Sequence, residues 1–256
     1  MSTDFLEKMK GLSRRRAAKL ATPADRKLPV RSFKAALQAR GRAVIAEVKY
    51  ATPADGMLGV GDTPDVIARE YERLGAAAIS CLTEPEYFAG RLEYLAVVRS
   101  SCRLPVMMKD FIVDERQIIA GRALGADAVL LVTEMLCLEE LRSLYACAQD
   151  LGMDCLVEVH GPEGIDKALA MGASIIGVNC RDLRTLQVDP WLHENLIAGL
   201  PADAVKVAES GITSGARLRE LSDAGYDAVL IGRAFAGRTL REEIFHVGQD
   251  MRPNEA

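Results

Sequence analysis

The sequence lacks the patterns that mark metal sites, dinucleotide sites and membrane spans. Its 256 residues include only three histidines, which show no metal-ligand spacing with one another or with cysteine. None of the six cysteines forms a CxxC pair, and no GxGxxG pattern follows the first apolar run. No apolar run approaches the ~20 residues of a membrane helix. We therefore expect no metal site, no dinucleotide-binding fold and no membrane span.

An excess of charge of one sign is also missing. The chain has 32 Lys and Arg against 36 Asp and Glu, a net charge of −4, so no overall field favours nucleic acid or an acidic membrane. The first residues lack the apolar segment of a secretory signal, and unpaired cysteines are typical of a reducing compartment. We expect a cytoplasmic protein with reduced thiols. The basic run 14–16 is interpreted as a solvated helix face, with anion or partner binding as the alternative.

What the sequence does contain is a repeated unit of an amphipathic stretch, a glycine and a short apolar run. Such a glycine is typical of a helix end that precedes a buried strand. The four glycines are Gly75, Gly125, Gly172 and Gly225. Four further apolar runs lie before or between these units, at residues 43–48, 104–109, 155–159 and 204–209. The pattern therefore predicts eight strands.

The alternation of these strands with helical stretches predicts the fold. Near-continuous apolar strands that alternate with helices indicate an α/β protein with a parallel sheet covered by helices. Eight such units in about 250 residues favour a closed (β/α)8 TIM barrel over an open sheet. We expect residues 1–256 to form a single domain. Within it, residues 1–40 form an N-terminal helical extension packed on the barrel of residues 41–256.

Polar side chains stand at the carboxyl ends of the predicted strands, where TIM barrels build their active sites. The first strand gives Glu47 and Lys49, and strand alternation points both side chains into the same space. The other strand-end candidates are Lys109, Glu158, Asn179, Arg181, Glu209 and Ser210. Each alone has an ordinary reading as a solvated charge or an ion-pair partner. Together they would be partly desolvated, which is costly unless they pair or do chemistry, so they predict an acid–base site.

Two glycines at the ends of the last two strands predict a phosphate site. Gly211 follows strand seven in ESGIT, and Gly232 follows strand eight in IGRAF. Exposed backbone N–H groups at these positions, helped by a helix N-terminus, can bind a phosphate group. Arg233 follows Gly232, and it is interpreted either as a direct phosphate contact or as an outward charge at a helix start.

These segments resemble the indole-3-glycerol phosphate synthase family of tryptophan biosynthesis. The resemblance runs in order over about residues 40–235. It is carried chiefly by VIAEVK, EPEYFAG, LPVMMKDFIVDERQI, LVEVH, GVNCRDL and ESGI. It implies a carboxy-lyase that acts on 1-(2-carboxyphenylamino)-1-deoxyribulose 5-phosphate, closing the pyrrole ring and removing CO2 and water. It further implies a small phosphorylated ligand, no cofactor and no metal, while monomer and homodimer both stay open.

The resemblance also implies a role for each candidate residue. Lys109 matches the general acid, and Lys49 matches a second lysine that contacts the substrate carboxylate and assists proton transfer. Glu158 and Glu47 match the acid–base carboxylates, in an order that stays open. Asn179 and Ser210 are also matched to catalytic positions, and the matches to substrate-binding positions are Pro53, Phe88, Phe111, Arg181 and Glu209. The matches to the phosphate cradle are Gly211 and Gly232, with Arg233 beside them.

The segment after Lys49 departs from the family pattern. The family usually has K-x-S-P-S-x-G there, whereas this chain has KYATPADG. Ala54 lacks a hydroxyl group, and Asp55 places an anion near the expected substrate. Two alternatives therefore stay open beside the leading one. The first is a related phosphate-binding barrel, such as a sugar-phosphate isomerase, and the second is a non-catalytic partner in a complex of the pathway.

Overall fold

The computed structural model describes residues 5–21, 28–39, 42–232 and 238–249. Eight of its ten strands form a closed parallel barrel, which confirms the predicted TIM barrel. The barrel strands are β1 (Ala43–Val48), β4 (Ala78–Leu82), β5 (Val106–Lys109), β6 (Ala128–Val132), β7 (Asp154–Val159), β8 (Ile175–Asn179), β9 (Val205–Glu209) and β10 (Ala228–Ile231). The remaining two, β2 (Ala51–Thr52) and β3 (Gly56–Met57), form a separate hairpin.

Helices connect consecutive barrel strands. They are α3 (Pro64–Leu74), α4 (Tyr94–Ser101), α5 (Glu115–Ala123), α6 (Leu138–Asp150), α7 (Pro162–Ala170), α8 (Leu192–Leu196) with the 3-10 turn Ile197–Gly199, and α9 (Gly215–Asp223). The helix α10 (Arg238–Gln249) follows the last strand, while α1 (Phe5–Ala17) and α2 (Phe33–Gln38) precede the first. As predicted, Gly75 caps α3 in the left-handed region, at φ 93°. None of the described helices is long and apolar enough to cross a membrane.

The strands read as continuous apolar runs because both faces of the sheet are covered. Every residue of β4, β6 and β8 is buried, between the barrel interior on one side and the helices on the other. Parallel register then aligns the strand ends with one another. Lys109 lies opposite Leu82, Glu158 opposite Val132, and Asn179 opposite Glu209. The chemistry-bearing side chains consequently meet at the carboxyl end of the barrel.

The two described helices that precede β1 cover opposite ends of the barrel. At the carboxyl end, the Phe5 ring of α1 meets the Phe111 ring edge-on, with centroids 6.1 Å apart. At the other end, α2 buries Phe33 completely. The backbone N–H of Lys34 there donates to the Asp154 carboxylate at 2.9 Å, where β7 begins. The extension therefore covers the barrel mouth and also closes the barrel floor.

The segment after Lys49 forms the β2–β3 hairpin, which the sequence did not predict. Ala51 pairs with Met57 and Thr52 pairs with Gly56 in antiparallel register. The Thr52 hydroxyl accepts a hydrogen bond from the Asp55 N–H and donates one to the Asp55 carboxylate, each at 2.9 Å. The anion that departs from the family pattern is thus held by the turn itself.

Candidate active site

A cavity of about 540 Å³ opens at the carboxyl ends of the barrel strands. Twelve of the fourteen residues predicted for the site line it: Glu47, Lys49, Pro53, Phe88, Lys109, Phe111, Glu158, Asn179, Arg181, Ser210, Gly211 and Gly232. Glu209 lies one layer deeper, where it is 1% exposed and contacts Lys109. Arg233 lies outside the described residues, so its two interpretations both stay predictions.

A row of alternating charges crosses the cavity floor. Glu47 forms an ion pair with Lys49 through Oε1, and its Oε2 lies 3.5 Å from the Lys109 Nζ. The Lys109 Nζ also donates to the Glu209 Oε2 at 3.0 Å. Strand alternation predicted the contact between Glu47 and Lys49, and the barrel adds the other two residues from β5 and β9. We call Lys49, Glu47, Lys109 and Glu209 the charged row.

Pairing within this row decides which groups are charged. Burial alone would lower the pKa of Lys109, but the carboxylates of Glu209, Glu47 and Glu158 outweigh it and raise that pKa above its usual value. Burial alone would raise the pKa of Glu47, but the ammonium groups of Lys49 and Lys109 outweigh it and lower that pKa. At neutral pH, Lys109 is therefore a cation and Glu47 an anion.

Glu209 is the carboxyl group of the row that keeps a proton most readily. Burial raises its pKa to about 8; Lys109 opposes this rise, and the neighbouring Glu158 adds to it. Within the described part of the chain, its Oε1 has no hydrogen-bond partner. The Lys109 ammonium is the partner that favours the ionised form of Glu209, against burial and Glu158.

Aromatic side chains form part of the cavity wall. The Phe88 and Phe111 rings lie 6.2 Å apart with an interplanar angle of 50°, and Phe5 of α1 also lines this wall. The loop that carries Phe88 is fixed by Glu84, whose carboxylate accepts the N–H groups of Tyr87 at 2.7 Å and of Phe88 at 3.1 Å. The cavity can therefore bind a flat apolar ring against this wall, within the same cavity as Glu47, Lys49 and Lys109.

Arg181 and Asn179 lie beyond the end of β8 at the rim of the cavity. The Asn179 side-chain oxygen accepts the backbone N–H of Arg181 at 3.1 Å. The Arg181 guanidinium donates to the carbonyl of Leu186 at 2.8 Å, which holds it at the rim. An arginine and an amide group fixed in this way can orient an anionic substituent of a bound ring.

The chain leaves β9 through two consecutive residues in the left-handed region, Ser210 at φ 63° and Gly211 at φ 68°. This conformation costs a residue other than glycine about 1–2 kcal/mol, and such strain concentrates at functional sites. A Cβ on Gly211 would stand 2.8 Å from the Cys180 Sγ, so a larger residue does not fit. Both residues line the cavity near Gly232, where the sequence predicted the phosphate group.

Arg16 and its two carboxylate partners were missed in the sequence. The interpretation of residues 14–16 as a solvated face is wrong for Arg16, which is only partly exposed. Its guanidinium bridges Glu84 at 3.2 Å and Asp110 at 2.6 Å, both of which line the cavity. Arg16 stands seven residues after the fully buried Met9, so both share one face of α1. This spacing was the sequence signal that could have predicted a partly buried Arg16.

Replacing Arg16 with methionine should lower the free energy of unfolding by about 2–3 kcal/mol. The change leaves Glu84 and Asp110 buried without their shared cation, and the loss of one partner of a buried ion pair is strongly destabilising. Urea unfolding monitored by circular dichroism measures the effect. Arg15→Met is the matched control, because Arg15 is exposed on the same helix and should change stability by less than ~0.5 kcal/mol. Equal stabilities of the two variants would contradict this anchoring role.

Comparison with known proteins identifies one and the same family by its family model and by the curated relatives. A family model described as indole-3-glycerol phosphate synthase matches residues 3–246. A protein of that name from Chloroherpeton thalassium is 47% identical over 206 residues, which cover 79% of each chain. Another, from Micrococcus luteus, is 47% identical over 203 residues, covering 79% of this chain and 76% of the relative. A protein named indole-3-glycerol phosphate synthase 2, from Streptomyces coelicolor, is 46% identical over 223 residues, covering 86% of each chain.

Proposed function

The chain belongs to the indole-3-glycerol phosphate synthase family, and we propose how the side chains around its cavity carry out that family's reaction. The enzyme is a carboxy-lyase of tryptophan biosynthesis. It converts 1-(2-carboxyphenylamino)-1-deoxyribulose 5-phosphate to indole-3-glycerol phosphate by ring closure, decarboxylation and dehydration. The observation that carries the assignment of roles is that the charged row and an aromatic wall lie at one cavity.

Ring closure is assigned to Lys109. Attack of the aromatic ring on the ketone carbon places negative charge on the ketone oxygen, and an ammonium group beside that oxygen stabilises the charge and supplies a proton. Lys109 is suited to this role because Glu209 and Glu47 keep it fully protonated at neutral pH. It also lies deep in the cavity, where a low dielectric strengthens its electrostatic effect.

Decarboxylation is assigned to the aromatic wall and the cations around it. The Phe88 and Phe111 rings form the pocket for the anthranilate ring, and Arg181 with Lys49 orients its carboxylate. Once the new carbon–carbon bond has formed, the carboxylate leaves as CO2 and its bonding electrons restore the ring system. A wall without hydrogen-bond donors favours this step, because the neutral product needs no solvation.

Dehydration needs an acid for the departing hydroxyl group and a base for the ring proton. Glu47 is a weak base, since the ammonium groups of Lys49 and Lys109 hold its carboxylate. Glu158 has one cationic partner within 4 Å among the described residues, the His160 ring at 3.5 Å. We assign the ring proton to Glu158, and Glu47 with its lysines to the departing hydroxyl group.

Binding of the substrate phosphate is assigned to the ends of β9 and β10. Ser210, Gly211 and Gly232 supply the described part of this site, and Arg233 is a further candidate. We also propose that the enzyme acts in the cytoplasm as a monomer or homodimer, with this phosphorylated substrate as its small-molecule partner. Its six free thiols support the location.

A turnover assay tests the proposal. The purified chain should convert the ring-opened ketose phosphate to a product with indole fluorescence and release one CO2 for each product molecule. The constant emission of the single tryptophan, Trp191, is subtracted. Phosphoribosyl anthranilate, offered separately, should not be consumed, and its isomerisation would instead support the sugar-phosphate isomerase alternative. Absence of turnover with both substrates at high enzyme concentration would refute the proposed function.

A further inference from the structure

Next to Glu158, and outside the lining of the active-site cavity, lies a second pair of ionisable residues, His160 and Glu134. The His160 Nε2 is 3.5 Å from the Glu158 Oε1, and its Nδ1 is 3.0 Å from the Glu134 Oε2. His160 comes directly after β7, and Glu134 follows the end of β6. The imidazole ring therefore lies between two carboxylates, one of which lines the active-site cavity and one of which does not.

Glu134 is placed so that it holds His160 firmly. Its carboxylate accepts the backbone N–H of His160 at 3.0 Å as well as the contact from the ring. The Thr133 hydroxyl also lies 3.0 Å from the Glu134 Oε2, and α7 covers the pair closely. A Cβ on Gly164 of α7 would stand 2.7 Å from the Thr133 hydroxyl and 3.1 Å from the Glu134 Oε1. The side chains of Thr133 and Glu134 are thus closely packed against α7.

The charges around His160 favour its protonated form. Burial would lower the pKa of His160, but the hydrogen bond to Glu134 and the nearby carboxylates of Glu158, Glu134 and Glu209 raise it to about 9. The His160 ring also helps to lower the pKa of the nearby Asp182 carboxyl group. His160 and Glu134 line a second cavity, whose other charged lining residues, besides Asp182, are Glu163, Lys167, Arg184 and Asp189. At neutral pH the ring is therefore a cation next to Glu158.

We propose that His160, held by Glu134, is a positioning residue that orients the Glu158 carboxylate and keeps it ionised until it takes the ring proton. This inference rests on the role proposed above for Glu158. The His160 cation lies outside the lining of the active-site cavity, so it can stabilise the charge of Glu158 without contacting the substrate. The proximity of Glu158 raises the pKa of Glu209, so the two carboxyl groups repel each other when both are ionised. The His160 cation offsets this repulsion.

The pH dependence of turnover separates this role from a purely structural one. Without a neighbouring cation, a carboxylate takes up a proton at higher pH, because its charged form has lost its stabilising partner. In His160→Asn, the acid limb of the kcat–pH profile should therefore move upward by about 1–2 pH units, with KM little changed. Glu134→Gln should move it in the same direction by less, since the ring stays but loses a charge that keeps it protonated. Loss of packing alone would lower kcat equally at every pH.

Glu163→Gln is the matched control for Glu134→Gln. Glu163 lines the same second cavity but pairs with Lys167 at 3.5 Å, and its side chain is 89% exposed. This variant should keep the wild-type pH profile. An acid limb that stays in place in both His160→Asn and Glu134→Gln, while wild-type enzyme turns over normally, overturns the inference. Inactive wild-type enzyme would instead refute the proposed function.

A titration of the imidazole ring gives a readout that does not need turnover. The chain has three histidines, so the His160 signals can be assigned by comparing NMR spectra of wild-type protein and His160→Asn. The pKa of His160 should be about 9 in wild-type protein and should fall towards 6.5 in Glu134→Gln and in Glu158→Gln. A ring that titrates with the same midpoint in all three proteins contradicts the pairing. Midpoints that fall in both variants support it even if an unfolding variant prevents the kinetic comparison.

Discussion

Replacing Lys109 with alanine should lower kcat by ~10²-fold or more, the usual scale for the loss of a general acid. The ammonium group is the cation of the charged row that lies between two carboxylates, 3.0 Å from Glu209 and 3.5 Å from Glu47. Its removal takes away both the proton donor and the charge that stabilises the ketone oxygen. It also leaves two buried carboxylates without their shared cation, so Glu209 should hold its proton to a higher pH than about 8.

Single-turnover kinetics with saturating ketose phosphate measure this effect, with circular dichroism to show that the variant is folded. Lys206→Ala is the matched control, because Lys206 is the second residue of β9 and does not line the cavity. It should keep kcat within about twofold of wild type, as expected for a residue that contacts neither substrate nor the acid–base groups. A folded Lys109→Ala variant with near wild-type kcat would remove Lys109 from its assigned role.

The parts of this structure that follow from local periodicity could be predicted from the sequence. Helix ends at glycine, the eight apolar strands and the shared direction of Glu47 and Lys49 all depend on residues close together in the chain. Strand-end placement extends this reasoning across the barrel, because a parallel barrel brings every carboxyl end to one side. This is why twelve predicted site residues line one cavity.

Features that depend on depth and on pairing between distant residues could not be predicted in this way. The sequence places Glu209 at a strand end, but only the closed barrel puts it behind Lys109, 100 residues away in the chain. In the sequence, Arg16 is one residue of a basic run. Its partner Asp110 lies 94 residues later, directly after β5. A solvated position is the correct interpretation for most charges on a helix surface. The helix was therefore predicted correctly here, and only the ion pairs of Arg16 were missed.

Gly232 shows how backbone shape fixes the charged row. A Cβ at this position would clash with the Glu47 Oε1 and would stand 2.7 Å from the Lys49 Nζ. Side-chain ends elsewhere could move away at little cost. Here Glu47 is 4% exposed, and its two oxygens are engaged by Lys49 and Lys109. The added methyl group must therefore displace catalytic atoms or break their ion pairs.

Gly232→Ala should consequently lower kcat by about 10²-fold, because a displacement of about 1 Å in catalytic groups costs this much in rate. The fold should persist, since the methyl group meets the tips of side chains at the cavity rather than the barrel core. Kinetics and thermal unfolding of the same preparation separate the two effects. Gly61→Ala is the control, as a Cβ there meets no atom within 4 Å, and it should retain wild-type kcat. Wild-type turnover in Gly232→Ala would mean that the position of Glu47 in the charged row does not matter for catalysis.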